Sequence, residues 1–79
     1  MMTKLKRQRI NRNLTQAELS KLSGIPVRTL QNYEQGVLCF DSARIDKIVE
    51  VALVLDCNIE NLIEDKNIID KIKKAKSEK

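Results

Sequence analysis

The stretch Leu14 to Gly36, LTQAELSKLSGIPVRTLQNYEQG, constrains this chain most, because it prescribes two short helices and the turn between them. Thr15 is an N-cap residue type, and Glu18 three residues on completes a capping box with it. Leu14 before the cap and Leu19 at the fourth helical position form a hydrophobic staple. Leu19 and Leu22 then make one apolar stripe until Ser23-Gly24, where glycine accepts the left-handed conformation of a helix exit. Pro26 reopens the helical path, since its missing N–H costs nothing in a first turn and its fixed φ suits helix entry. Leu30 and Tyr33 point to one side and Gly36 ends the second helix. The pattern is helix, turn, helix within about two dozen residues.

The second of these helices, at about 26–35, has an informative opposite side. Val27, Arg28, Gln31 and Asn32 share an arc of about 140°, facing away from Leu30 and Tyr33. One apolar residue, one arginine and two amides are the side chains that read base edges. Arginine forks onto guanine, an amide onto adenine, and valine touches a thymine methyl. The same residues would equally serve as an ordinary solvated face, and the rest of the chain must decide.

Net charge is +4, but its distribution matters more than its sum. Residues 1–33 carry seven basic side chains against Glu18 alone, and residues 34–65 carry Arg44 and Lys47 against eight acids. Residues 66–79 carry six lysines against Asp70 and Glu78. The positive pole coincides with the helix pair, as a phosphate-docking face requires. Seventy-nine residues make one small domain, and a low aromatic content means a core of Leu, Ile and Val. One proline and two glycines among many Lys, Glu, Leu and Ile favour an all-α fold. No apolar run reaches membrane-spanning length and no secretory pattern opens the chain, which implies a cytoplasmic protein without membrane contact. Cys39 and Cys57 form no CxxC pair and histidine is absent, so neither a metal site, a disulfide framework nor a cofactor is expected. Cys57 reads as a small buried hydrophobe and Cys39 as partly exposed. With no activated cysteine, metal cluster or phosphate-cradling loop, enzymatic activity is not expected either.

Around the central pair, residues 2–12 read as a first helix with Met2, Leu5 and Ile10 as apolar contacts. Residues 37–41 are a loop in which Phe40 tucks against the core, while Val37 and Leu38 fit either core or contact surface. Asp41 or Ser42 is expected to cap a fourth helix at about 42–56, with Ile48, Val51, Ala52 and Leu55 as its main stripe. Ile45, Val49 and Leu53 form a surplus stripe beside it that something must cover. A short fifth helix at about 59–65 contributes Ile59, Leu62 and Ile63. The last segment, 66–79, places Ile68, Ile69 and Ile72 on one side before a lysine-rich end expected to fray.

From about Leu5 to Ile63 the chain resembles the Cro and lambda-repressor family of helix-turn-helix DNA-binding domains. The resemblance is carried by Leu14-Thr15-Gln16, Leu19, Ser20, Gly24-Ile25, Thr29-Leu30, Tyr33-Glu34 and Gly36, then Asp56-Cys57-Asn58-Ile59 and Leu62-Ile63. It implies a compact all-α five-helix domain over 1–65, with the helix-turn-helix at about 15–35, to which the residue pattern adds a helical extension over 66–79. It implies that Val27, Arg28, Gln31 and Asn32 enter the major groove. Gln16, with Thr15, Lys21, Arg7 and Thr29, would hold phosphates, and Arg9 and Glu34 would form an ion pair tying the first helix to the third. Pro26 stands where serine or threonine is usual, Ser20 where alanine is usual, and Gln8 where an apolar residue is common.

The function so implied is sequence-specific binding of double-stranded DNA by a small transcriptional regulator, a repressor acting on a two-fold operator. The surplus stripe suggests a homodimer joined through Val49, Leu53, Ile68 and Ile72; alternatively the tail folds back on its own domain. A second class is an antitoxin or anti-repressor that grips another protein through Val37–Phe40 and the fourth helix, with DNA binding secondary.

Overall fold

The computed structural model describes residues 2–77, so Met1 and the expected frayed end at Glu78 and Lys79 lie outside the described residues. Five α-helices follow one another: α1 Lys4–Asn11, α2 Gln16–Ser23, α3 Val27–Gln35, α4 Ile45–Leu55 and α5 Lys66–Ser77. Among the described residues there is no strand, and the fold is all-α. Short 3₁₀ turns at Phe40–Ser42 and Ile59–Asn61 flank α4. Among the described residues, no helix is long and apolar enough to cross a membrane.

Local chemistry accounts for most boundaries. The Thr3 hydroxyl accepts the Lys6 N–H, and the Glu64 carboxylate accepts the Lys4 N–H at 2.7 Å, so α1 starts on two side-chain acceptors. The capping box of α2 is complete: Thr15 Oγ1 accepts from the Glu18 N–H (3.1 Å) and Glu18 Oε1 accepts from the Thr15 N–H (2.8 Å). Gly24 leaves α2 at φ 76° and Gly36 leaves α3 at φ 79°, a region that costs other residues steric strain. Pro26 opens α3 without a side-chain cap.

The core sits between the helix pair and α4. Leu19, Leu30, Ile48, Val51 and Leu55 interlock, Leu5 and Leu62 close the far side, and Phe40 is buried against them. Phe40 meets the half-buried Tyr33 edge-to-face, with centroids 5.1 Å apart. Cys57 is half-buried against this core, and burial pushes its thiol up, while Cys39 is exposed.

Several expected contacts fall elsewhere. Met2 and Ile10 are exposed, and the second inward position of α1 is occupied by Arg9, one turn after Leu5. A charged residue takes that place because Glu34 waits opposite it. Leu22 is 55% exposed; the inner line of α2 is Leu19 and Ser23. The Ser23 hydroxyl donates to the Leu19 carbonyl (2.7 Å), which removes the cost of burying it.

Neither Asp41 nor Ser42 caps α4, which begins later than expected, at Ile45, with Arg44 before it and no side-chain cap. The Ser42 hydroxyl donates instead to the Cys39 carbonyl. The Asp41 carboxylate accepts the N–H groups of Glu64 (2.8 Å) and Asp65 (2.9 Å), fastening the approach to α5. The expected helix at 59–65 contracts to one 3₁₀ turn, although Leu62 and Ile63 are buried as its pattern required.

The surplus stripe of α4 is open: Ile45 is 68% and Leu53 71% exposed, with Val49 exposed between them. Helix α5 packs beside the Ile59–Asn61 turn, with Ile69 and Ile72 partly buried against the core and Ile68 facing outward. A Lys76–Glu60 ion pair at 2.9 Å fastens its far end and holds the Glu60 carboxyl below the usual range.

Candidate nucleic-acid interface

Helix α3 presents one side to the protein and the other to solvent. Leu30 is fully buried and Glu34 nearly so, with Tyr33 half-buried between α3 and the Phe40 turn. Burying a leucine of this kind stabilises the fold by about 1.5–3 kcal/mol, enough to fix how the helix is rotated. On the other side Val27 is 36% exposed, Arg28 and Gln31 are exposed, and Asn32 is half-buried. Among the described residues the side chains of Arg28, Gln31 and Asn32 have no hydrogen-bond partner. Their donors and acceptors are open to a ligand.

The frame behind α3 is polar and buried. Arg9 forks onto Glu34, with Nε donating to Oε2 at 2.6 Å and Nη2 to Oε1 at 2.9 Å. The hydrogen bond to Glu34 raises the Arg9 pKa further, against the opposing effect of burial. Its remaining nitrogen, Nη1, donates to the Leu14 carbonyl at 2.7 Å, and the Thr3 hydroxyl donates to the Glu34 carbonyl. Helix α1, the entry to α2 and the end of α3 are thus fastened at one point. Removing either charge from such a buried pair costs about 3–5 kcal/mol, because the survivor is left without compensation.

The residues expected to meet phosphates occupy different settings. Gln16 is half-buried at the start of α2 and its Nε2 donates to Glu34 Oε1 at 3.0 Å. Thr15 is exposed, with its oxygen engaged as the α2 cap. Lys21 is exposed on α2 in a shallow depression shared with Leu14, Glu18 and Leu22. Arg7 is exposed on α1. Thr29 is half-buried in a groove that also contains Pro26, Arg44 and Lys47.

That groove adds two cations that the sequence pattern does not single out. Lys47 reaches back over the α2–α3 turn, with Nζ 3.5 Å from where a Cβ on Gly24 would lie. Arg44 stands at the uncapped start of α4 and pairs with Asp46 on the surface at 3.2 Å. Both belong to the segment whose charge balance is most negative, so a tally along the chain hides them. A basic residue next to a helix start without an N-cap side chain was the available signal.

Arg12 moves the other way. It belongs to the positive pole in sequence, yet its Nε donates to the Leu55 carbonyl (2.7 Å) and its Nη2 to the Asp56 carbonyl (3.0 Å). It therefore closes the C-terminal end of α4, where Asp56 adopts a left-handed conformation at φ 50°. Val49, Leu53 and Ile68 form exposed apolar surface on α4 and α5, whereas Ile72 is partly committed to its own core. Val37, at 67%, and Leu38 are exposed in the loop after α3. No cluster of His, Cys, Asp and Glu among the described residues could hold a metal ion.

Comparison with known proteins agrees with this architecture. The profile of a helix-turn-helix family matches residues 5–62, from the first turn of α1 to the end of the second 3₁₀ turn. No curated protein and no solved structure gives a match. The family match covers most of the chain, including α1 to α4 and the exposed arc of α3. The chain belongs to the Cro and C1-type helix-turn-helix family of DNA-binding regulators.

Proposed function

We propose that the chain binds double-stranded DNA selectively and acts as a small transcriptional repressor. The observation that carries this is the divided α3: an outward arc of Val27, Arg28, Gln31 and Asn32 over a packed floor of Leu30, Tyr33 and Glu34. Base reading needs side chains free to bond and a backbone that does not yield. Arg28, Gln31 and Asn32 choose the sequence, with Val27 against a thymine methyl. Gln16, Thr15, Lys21, Arg7 and Thr29 hold the backbone and set register, joined by Arg44 and Lys47 across the groove. Occupying a site excludes other proteins from it, which makes repression the simplest regulatory outcome.

One reading helix covers few base pairs, so the operator is proposed to be two-fold and the binding species a homodimer. The α4 stripe of Ile45, Val49 and Leu53 is flanked by Asp46 and Glu50, all exposed. The outer edge of α5 presents Ile68, Lys71 and Ala75, also exposed, with the half-buried Ile72 beside them. Laying α5 of one copy along α4 of the other matches apolar to apolar and lysine to acid. Selection of bound duplexes from a random pool at stated salt tests the whole proposal. The expected product is a preferred sequence with two half-sites about one helical turn apart; recovery of unselected sequence would reject base reading.

A second reading is favoured by one observation, the exposure of Val37 and Leu38. These side chains would grip a protein partner, as in an antitoxin. Changing both to Asp would then leave duplex affinity intact while abolishing regulation in cells.

A further inference from the structure

We propose that Glu34 is a positioning residue for DNA binding, aiming the Gln16 amide at a backbone phosphate. This rests on the docking of α3 on duplex DNA proposed above. A carboxylate only accepts hydrogen bonds, so the group of the Gln16 amide that faces Glu34 is its NH₂ and not its carbonyl. One of the two amide hydrogens is spent there. The other is held in a fixed direction on a half-exposed side chain at the first position of α2.

The ion pair does not need this third donor. Arg9 already supplies two hydrogen bonds and the compensating charge, at 2.6 and 2.9 Å. Arg9 is itself anchored on the Leu14 carbonyl, immediately before the α2 cap. The amide therefore rests on a support braced from α1 and from the entry to α2. Neutralisation by Arg9 also means that the buried anion does not repel an incoming phosphate. Gln16 enters the complex with its rotamer already chosen, so less side-chain freedom is lost on binding.

Two backgrounds separate this role from a purely structural one. Gln16→Met keeps the length of the side chain and removes the donor. Arg9→Met with Glu34→Leu replaces the buried pair by apolar groups of similar size, a change that folded proteins often tolerate. Each variant should bind duplex about tenfold more weakly. Each should keep the wild-type sequence preference and leave the salt slope unchanged, because a neutral amide displaces no counterion. Adding Gln16→Met to the apolar pair should cost nothing more. An equal loss from Gln16→Met in both backgrounds, or wild-type affinity of Gln16→Met alone, overturns the proposal.

A measurement on the free wild-type chain guards against an apolar pair that fails to fold. The Gln16 side-chain amide protons should exchange with water more slowly than those of the exposed Gln35. Equal exchange also overturns the proposal. Failure of the wild-type chain to bind any duplex removes the docking itself, and the exchange measurement is readable regardless.

Discussion

A buried carboxylate is tolerable only where its oxygens are occupied, and on Glu34 both are, by Arg9 and Gln16. That saturation fixes the rotation of α3 on the core and leaves its other side turned outward. The side chains on that outer side then differ in what they can do. Arg28 carries the fork that fits guanine, so Arg28→Ala should cost roughly 1–3 kcal/mol on the preferred site and relax choice at one base pair. Arg7 and Lys21 are exposed cations on α1 and α2, and their replacement should weaken all duplexes alike and flatten the salt dependence. Titrations of both kinds of variant against preferred and scrambled duplexes distinguish the roles. A change of preference in the Lys21 variant, with none in Arg28→Ala, would reverse the assignment.

At the scale of helices, what could be read from the chain depended on how local the cause was. Helix α2 was legible because Thr15, Glu18 and Gly24 fix both of its ends within ten residues. The inner face of α1 is not legible from its own residues, since nothing near Arg9 points to Glu34, 25 positions on; the family resemblance alone implies the pair that takes it into the interior. Asp41 has the same lesson: a good cap residue by composition, it is drawn to the backbone of Glu64 and Asp65, more than twenty residues away. The exposed arc of α3 followed from helical periodicity alone. The groove that adds Arg44 and Lys47 did not, because it forms only when α4 folds back over the turn.

Helix α5 illustrates how weakly a terminal element can be attached. It leans on Ile69 and Ile72 and on the Lys76–Glu60 pair. The hydrogen bond from Lys76 lowers the Glu60 pKa in the folded chain. The stabilisation is therefore fully present above the ordinary carboxylate range and is lost as pH falls through the lower, folded value. Amide exchange across α5 should accelerate in that acidic window before the core opens. Glu60→Gln should show the faster exchange already at neutral pH and lose that part of the dependence. An α5 whose protection tracks the core at every pH would mean that this pair does not govern its docking.

Across the whole molecule, charge and apolar surface are segregated. Arg7, Lys21 and Arg28 are exposed on α1, α2 and α3, while the open stripe of α4 carries acids at its margin and α5 carries lysines. A chain that only needed to fold would gain nothing from leaving Ile45 and Leu53 at 68% and 71% exposure. Leu53→Asp isolates the consequence. Because the side chain is largely outside the core, the monomer should keep its thermal stability, the change lying within about 0.5 kcal/mol as for most surface substitutions. Sedimentation at micromolar concentration should shift from dimer to monomer. Affinity for a two-half-site duplex should fall to that for a single half-site, because the second reading helix is no longer delivered with the first. A Leu53→Asp chain that sediments and binds like wild type, or a wild-type chain monomeric with and without DNA, would place recognition in a single copy and leave the stripe to another partner.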